Sequence, residues 1–339
     1  MQVFINTPGT MVKQKDDCFR VMKDEKKTDI SPRKVESIVF SNQAFISTQA
    51  LVLAMEHNID VIFLDKYGDP VARVWHSKLG STALIRRKQI EVAENEIGFN
   101  LVKEMILVKM GNQIRFLKKL MAARPGREDE FIPYIERIES ARFSINTLEG
   151  SLEDKRGSLM GLEGTAGRAY FECLSQLMPE KYKFNGRSRR PARDEFNAVL
   201  NYMYGILYSQ VEKTLILAGL DPFVGFLHTD NYNKKSLVFD FIEPFRIFAE
   251  QCTVYLFTGK KIKDNYFDRS EGAVTLNQEG KPLVIESLNN HLEESIRYRR
   301  KNVKRRHILL HEAHRMANLL LEDTEVGKSR PEWLEIKEL

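Results

Sequence analysis

The chain has 339 residues, of which 42% are hydrophobic and 29% are charged, and its formal net charge is +5. This composition is typical of a globular protein, and the length allows two domains or one large domain. No stretch approaches the roughly 20 apolar residues of a membrane span, and the first residues lack the apolar core of a signal peptide. The three cysteines form no CxxC pair, which is typical of free thiols in a reducing compartment. We therefore expect a cytoplasmic protein without a membrane partner.

Residues 1–76 have the pattern of a small β-rich domain. Short runs of β-branched and aromatic residues, separated by turn signals, predict strands at 3–5, 37–40 and 61–64. One helix is expected at about 48–57, with Ser47 or the next residue as its N-cap. The segment 66–70 predicts a hairpin turn that leads into a further strand.

A larger all-α domain is predicted at 84–326, because the spacing of apolar residues changes to the helical period. Its helices are expected at about 84–120, 130–154, 157–178, 191–218, 240–257 and 284–320. Short apolar pieces at 225–228 and 237–239 predict a minor hairpin. A linker at 77–83 precedes this domain, and a charged tail at 327–339 follows it. The predicted fold class is therefore α+β, with a small N-terminal β-rich domain followed by a larger all-α C-terminal domain.

An acidic residue, Glu163, lies in one of the predicted helices among apolar and small neighbours. A buried charge without a partner is too costly to keep, so Glu163 must meet a cation, a metal ion or a proton. The same helix contains Gly161, Gly164 and Gly167, which indicates that another backbone or a ligand passes close to it. The alternative is an ordinary, partly buried ion pair, for example with Arg168 or another basic residue.

Two further segments contain groups that could join Glu163. His228 follows an apolar segment, where a lone histidine is more often a packed or capping residue than a ligand. Asp240 and Glu243 would share one helix face, and the alternative is a capping box in which Asp240 is the N-cap. One imidazole and two or three carboxylates would suit Mg²⁺ or Mn²⁺, and such an ion could polarise a phosphodiester. The spacing alone does not show that these positions meet in space.

Basic residues are concentrated at 86–88, 187–193 and 297–306. Together, the three clusters predict binding to nucleic-acid phosphates, although one cluster alone would be interpreted as a solvated helix face. Directly after the last cluster, His307, His311 and His314 share a helix face and could hold a transition metal such as zinc. We interpret them instead as surface residues near phosphates.

Five segments, in this order along the chain, resemble the CRISPR-associated endonuclease/integrase of spacer acquisition, the larger of the two core adaptation proteins. They read KVESIVFSNQAFISTQALVLAMEHNIDVIFLDKYGDPVARV, LMGLEGTAGRAYF, RPARDEFNAVLNYMYGIL, GLDPFVGFLH and SLVFDFIEPFR. The third segment is similar to the family's Pro-x-x-Asp-x-x-Asn helix, with Pro191, Asp194 and Asn197 at the matching places. The joint presence of all five segments makes the resemblance specific.

The resemblance implies a dimerising β domain and a helical domain that holds one Mg²⁺ or Mn²⁺ ion. Matched residue by residue, the catalytic and metal-binding residues are Glu163, His228 and Glu243, although the family often has Asp at the last position. Asp240 would lie beside them as a fourth acid that could substitute, and Asn197 could support the ligands or contact the scissile phosphate. The implied activity is metal-dependent DNA cleavage and strand transfer, in which a 3′-hydroxyl attacks a phosphodiester at the CRISPR repeat.

The implied partners are a second copy of the chain, a small ferredoxin-like CRISPR adaptation protein and double-stranded DNA. For contacts with the DNA backbone we expect Arg193, Arg246, Arg297 and Arg300. A hypothesis from a different class is a basic helical protein that binds nucleic acid without catalysis, in which the acids only cap helices and form ion pairs. A third hypothesis places catalysis at the three histidines and predicts that zinc is retained during purification.

Overall fold

The structure is a computed structural model, and it describes residues 2–35, 37–57, 59–65, 70–74, 83–93, 95–228, 234–299 and 301–321. The chain divides into two compact units, Met1–Leu79 and Gly80–Leu339. Apart from Ala83, the predicted linker 77–83 lies outside the described residues, and so does the whole of the predicted tail 327–339.

The first unit contains two four-stranded sheets. Its strands are β1 (Gln2–Ile5), β2 (Met11–Lys15), β3 (Cys18–Lys23), β4 (Lys26–Ile30), β5 (Ser37–Phe40), β6 (Phe45–Ile46), β7 (Asp60–Leu64) and β8 (Pro70–Val74). One sheet has the order β1-β5-β7-β8, in which β1, β5 and β7 are parallel and β8 is antiparallel to β7. The other sheet has the order β4-β3-β2-β6. The strands predicted at 3–5, 37–40 and 61–64 are thereby confirmed, whereas β2, β3 and β4 were not predicted.

The helix of the first unit, α1 (Thr48–Glu56), begins where the sequence predicts it. The side chain of Ser47 accepts a hydrogen bond from the backbone N–H of Ala50 at 3.2 Å and is therefore the N-cap. Leu53 packs in one hydrophobic cluster with residues of both sheets, including Phe19 and Ile38. The core of this unit thus joins the two sheets and α1. The predicted hairpin turn at 66–70 lies almost wholly outside the described residues.

The second unit is mostly helical. Its helices are α2 (Ala83–Ala93), α3 (Glu96–Ala122), α4 (Ile132–Asn146), α5 (Leu152–Leu177), α6 (Glu195–Leu217), α7 (Ser236–Phe241), α8 (Arg246–Thr258), α9 (Gly280–Glu293) and α10 (Arg305–Leu321). A 3₁₀ turn, Glu243–Phe245, lies between α7 and α8. The predicted order, with a strand-rich part followed by a mostly helical part, is confirmed. None of the helices in the described part of the chain is long and apolar enough to cross a membrane.

The second unit also contains two short hairpins that the sequence analysis did not predict. They are formed by the strand pairs β9 (Phe267–Ser270) with β10 (Ala273–Leu276) and β11 (Ser295–Tyr298) with β12 (Lys301–Lys304). The prediction of one helix over 284–320 is therefore wrong, because β11 and β12 interrupt it. Buried Ile296 and Tyr298 alternate with exposed side chains in this hairpin, but a period of two is difficult to recognise inside a run of basic residues.

One helix prediction and one hairpin prediction also need correction. The helix predicted at 84–120 is divided into α2 and α3, because Asn95 caps α3 by accepting a hydrogen bond from the N–H of Ile97 at 2.8 Å. The minor hairpin predicted from 225–228 and 237–239 is wrong. Residues 237–239 belong to α7, and the backbone N–H groups of 226–228 donate to a carboxylate instead of to a strand.

Candidate active site

Glu163 on α5 and Glu243 in the 3₁₀ turn contact the same ammonium group. That group belongs to Lys109 on α3, whose Nζ makes a very short contact with Glu163 Oε1 and lies 2.7 Å from Glu243 Oε2. The side chains of Lys109 and Glu243 are each 11% exposed, and that of Glu163 is 31% exposed. The two acids therefore share one cation, and this cation is an amino group of the chain itself.

The charges of this cluster stabilise one another. Burial alone would raise the pKa of Glu243, but Arg246 and Lys109 outweigh it and lower this pKa to about 2. Burial likewise opposes the charge of Lys109, but Glu163 and Glu243 hold its pKa above the usual value for lysine. Glu243 and Lys109 are consequently both ionised at neutral pH, so the site contains a real ion pair.

Arg246 anchors the other oxygen of Glu243. Its Nε donates to Glu243 Oε1 at 2.8 Å, and its guanidinium also donates to the hydroxyl of Tyr208 at 2.9 Å. The guanidinium carbon lies 4.7 Å from the ring centroid of Tyr204, whose hydroxyl donates to Glu250 at 2.7 Å. Arg246, which was predicted to bind DNA, is therefore largely buried and engaged with the acid and the two tyrosine rings.

Asp240 holds the loop that ends at His228. Its carboxylate accepts hydrogen bonds from the backbone N–H groups of Phe226 at 2.7 Å and Leu227 at 3.0 Å, and its Oδ1 lies 2.5 Å from His228 Nδ1. A neutral imidazole that donates this hydrogen bond from Nδ1 carries its lone pair on Nε2, which is the arrangement of many metal-binding histidines. Asp240 lies inside α7 and not at its N-cap, so the capping-box alternative is wrong.

Gly225 allows this loop to lie directly on the start of α7. A Cβ atom at this position would come within 2.4 Å of the Cβ and 2.7 Å of the carbonyl carbon of Ser236. Only glycine fits such a close approach, and the approach brings the following N–H groups within reach of Asp240. Gly225 and Asp240 therefore act together to position the imidazole of His228.

Gln89 on α2 fixes the other end of the same loop. Its side chain is fully buried, its amide nitrogen donates to the carbonyl oxygens of Asp221 and Val224 at 2.7 Å each, and its amide oxygen accepts from the N–H of Asp221 at 3.0 Å. The side chain of Gln89 thus provides hydrogen-bond partners for backbone groups of the loop that regular secondary structure does not pair.

We expect Gln89→Leu to lower the free energy of unfolding by about 2–3 kcal/mol, because it leaves buried backbone groups of the loop without partners. Urea-induced unfolding of the two proteins measures this difference. Gln176→Leu is a suitable control, because Gln176 is exposed and its amide nitrogen donates to the hydroxyl of Tyr134. Equal losses in the two variants would show that Gln89 has no special role.

A series of side-chain contacts connects His228 to Arg246, the residue that holds Glu243. Its ring is 5.7 Å from that of Phe239, and Phe239 is 5.2 Å from Tyr208, which accepts the hydrogen bond from Arg246. Among the described residues, however, no three His, Cys, Asp or Glu side chains lie close enough together to hold a metal ion. The donor types fit a divalent cation, since two carboxylates already share a cation, but the imidazole does not join them as a third ligand in this structure.

Asn197, which was predicted as a possible supporting or alternative ligand, forms its hydrogen bonds with residues near the start of α6. It is fully buried, its amide nitrogen donates to Gly186 at 3.0 Å and to Asp194 at 2.7 Å, and its oxygen accepts from Arg187. One turn later, Asn201 donates to the carbonyl oxygens of residues 188 and 189 at 3.0 and 2.9 Å. The amide of Asn197 therefore holds the arginine-rich loop, residues 186–193.

The arginine-rich loop, residues 186–193, contributes a residue that the sequence analysis did not select. The guanidinium carbon of Arg189 lies 5.6 Å from the ring centroid of Phe239 and 5.8 Å from that of Tyr208. Arg189 is exposed, so it provides a positive charge at the edge of the region that contains His228 and Arg246.

Two of the other three arginines predicted to contact DNA are exposed. Arg193 is exposed in the arginine-rich loop, and Arg297 is exposed on β11, whereas Arg300 lies outside the described residues. The three histidines of the zinc hypothesis, His307, His311 and His314, are exposed on α10. Within the part of the chain that the structure describes, they do not form a metal-binding group. This placement favours the surface interpretation of the histidines.

The glycines beside Glu163 face open space. Apart from its own helix backbone and its chain neighbours, a Cβ atom at Gly161, Gly164 or Gly167 would meet no atom of the described residues within 4 Å. The expectation that another backbone passes close is therefore wrong, and the remaining alternative is a ligand. The alternative of a partly buried ion pair is found in the structure, with Lys109 instead of Arg168 as the basic partner of Glu163. A lysine within the long, largely buried α3 was the available signal for this partner.

The family described as CRISPR associated protein Cas1 matches residues 3–290. The CRISPR-associated endonuclease Cas1 1 of Archaeoglobus fulgidus is 33% identical to this chain over 83% of its length, and the match covers 85% of the relative.

Two solved structures share the fold. A casposase bound to integration product has a TM-score of 0.81 at 19% identity, with coverage of 100% of this chain and 95% of that one. A Cas6-RT-Cas1--Cas2 complex has a TM-score of 0.79 at 21% identity, with coverage of 95% of this chain and 35% of the other. At such identities the likeness concerns the fold, but the family match spans most of the sequence. The chain therefore belongs to the CRISPR associated protein Cas1 family.

Proposed function

We propose that this protein is a metal-dependent DNA endonuclease and integrase that inserts new spacers into a CRISPR array. The observation that carries the proposal is the convergence of Glu163 and Glu243 on one cation, in a member of the Cas1 family. Two buried or half-buried carboxylates that share a cation form the kind of site that phosphoryl transfer uses. The relative from Archaeoglobus fulgidus is named an endonuclease, which supports the same reaction class.

One Mg²⁺ or Mn²⁺ ion would be held by the carboxylates of Glu163 and Glu243 and by Nε2 of His228. When bound, the ion would polarise a phosphoryl oxygen of the reacting phosphodiester. Asp240 would keep the imidazole proton on Nδ1 and the ring in place, and Arg246 would keep Glu243 ionised and oriented. Asp240 would thus support the imidazole, and Glu243 would be the third ligand.

The reaction itself would be an in-line transesterification. The 3′-oxygen of the incoming DNA forms a new bond to phosphorus, the bond to the 3′-oxygen of the target strand breaks, and the proton of the attacking hydroxyl ends on the departing oxygen. The exposed guanidinium groups of Arg189, Arg193 and Arg297 would hold the DNA backbones against this site. These contacts would position the DNA and would carry no sequence information of their own.

The proposed partners are double-stranded DNA, a second copy of this chain and a small ferredoxin-like adaptation protein. A protein of the same fold occurs in a complex with Cas2, and another occurs with the product of an integration reaction, which supports a protein partner and a DNA substrate. We assign homodimerisation to the β-rich first unit.

A strand-transfer assay tests the function directly. Purified protein is incubated with a linear duplex that has free 3′-hydroxyl ends and a supercoiled plasmid that contains a CRISPR repeat. We expect joined products with Mn²⁺ or Mg²⁺ and none in excess chelator, while binding of the duplex persists in chelator. The same yield of joined products in chelator would contradict the proposed metal dependence.

The alternative function is nucleic-acid binding without catalysis. It is favoured by one specific observation, which is that Lys109 already neutralises both glutamates. On this alternative, Mn²⁺ would not raise the melting temperature, and no joined products would form with any divalent ion. The two functions are thus separated by the strand-transfer assay together with a thermal-shift measurement.

A further inference from the structure

The ammonium group of Lys109 lies where two carboxylates from different elements converge. Glu163 projects from α5, Glu243 projects from the 3₁₀ turn, and the Nζ atom on α3 contacts both. Two neighbouring carboxylates repel each other unless a cation lies between them. In this structure, therefore, Lys109 provides the positive charge that allows the two acids to remain close together.

Glu243 remains held in position if the ammonium group leaves. Glu243 Oε1 is held at 2.8 Å by Arg246, which contacts the oxygen that Lys109 does not use. Glu163 is 31% exposed, and the adjacent Gly164 and Gly167 leave open space on the same helix. A cation that enters from solvent can therefore reach the carboxylate of Glu163 without a rearrangement of α5.

The lysine side chain can leave this position, since it has four rotatable carbon–carbon bonds and ends in a compact charge. A divalent ion and an ammonium group cannot both lie between the same two carboxylates, because their repulsion at a separation of about 4 Å is large in a partly buried site. Binding of the ion must then displace the ammonium group from at least one of its partners.

We propose that Lys109 is a built-in counter-cation that occupies the divalent-ion position and competes with the ion for Glu163 and Glu243. This inference rests on the proposed metal site. It means that the free protein is stabilised by the lysine and that the intrinsic affinity for the ion is reduced by the same contacts. Removal of the ammonium group has opposite effects on the two states, since it weakens the metal-free protein and strengthens metal binding.

The experiment compares the wild type with Lys109→Met and Lys109→Gln. Mn²⁺ affinity is measured by isothermal titration calorimetry, and the melting temperature is recorded with chelator and with saturating Mn²⁺. We expect both variants to bind Mn²⁺ at least about tenfold more tightly than the wild type. We also expect both to melt at a lower temperature in chelator and to gain more from Mn²⁺ than the wild type does. Lys109→Gln retains hydrogen-bonding capacity and serves if the methionine variant does not fold.

Lys103→Met is the matched control. Lys103 lies on the same helix, is 9% exposed as a residue, and donates to the carbonyl oxygen of Leu148 at 2.7 Å. Its removal is expected to lower the melting temperature equally with and without Mn²⁺ and to leave the affinity unchanged.

These measurements distinguish a failure of the competition by Lys109 from a failure of the metal site. If the wild type binds Mn²⁺ and the Lys109 variants bind it no more tightly, the competition is refuted and the proposed function stands. If neither the wild type nor the variants bind Mn²⁺, the metal site itself is refuted, and the competition with it.

Discussion

Glu163→Gln is expected to reduce strand transfer by about a thousandfold, which corresponds to about 4 kcal/mol of lost transition-state stabilisation. The amide is almost isosteric with the carboxylate, but it is neutral and is a poor ligand for a hard divalent ion. Folding should persist, because Lys109 retains its contact with Glu243 at 2.7 Å. The measurement is the initial rate of joined product at saturating DNA and Mn²⁺.

The control for this prediction is Glu172→Gln on the same helix. Glu172 forms a surface ion pair with Arg137 at 2.9 Å, and surface pairs contribute little to stability. Its variant should retain full strand transfer. Duplex binding, measured by fluorescence anisotropy, should stay within a few-fold of the wild type in both variants. Substantial strand transfer by Glu163→Gln would refute the assignment of Glu163 as a ligand.

The second large effect is expected for Asp240→Asn, which changes stability and activity together. The carboxylate accepts from three backbone N–H groups of the loop and from His228 Nδ1, and it is fully buried. An amide nitrogen would face one of these donors, so we expect a loss of about 3 kcal/mol in the free energy of unfolding. The imidazole would also lose the acceptor that keeps its proton on Nδ1. We therefore expect a further 10- to 100-fold fall in strand transfer under conditions where the variant is folded.

Urea unfolding and strand-transfer rates, recorded on the same preparation, separate these two effects. Asp221→Asn is the matched control, because Asp221 caps the start of the same loop by accepting from the N–H of Phe223 at 3.0 Å and is partly exposed. This control should lose little of either property. If Asp240→Asn loses stability but retains the full rate of its folded fraction, Asp240 has only a structural role.

Some features could be predicted because local patterns determine them. The buried β-branched runs at β1, β5 and β7 are strands in the structure, and Ser47 caps α1 as its position suggests. The requirement that Glu163 meet a cation also follows from its helical context alone. In each case the relevant neighbours lie within a few positions along the chain.

Other features depend on contacts between distant parts of the chain. Lys109 is 54 positions from Glu163, so no local pattern connects the two. The orientation of His228 by Asp240 depends on the close packing of Gly225 on α7, which is a tertiary contact. The strand β4 has the sequence KKTDI and is largely exposed, so its hydrophobic pattern was too weak to predict a strand.

A crystal structure of the protein soaked with Mn²⁺, with anomalous diffraction data, tests the central claim most directly. The account predicts one strong anomalous peak within about 2.2 Å of a carboxylate oxygen of Glu163, a carboxylate oxygen of Glu243 and Nε2 of His228. It also predicts that the Nζ atom of Lys109 has moved away from the peak. A peak only at the α10 histidines, or Lys109 still bridging both acids at saturating Mn²⁺, would contradict the account.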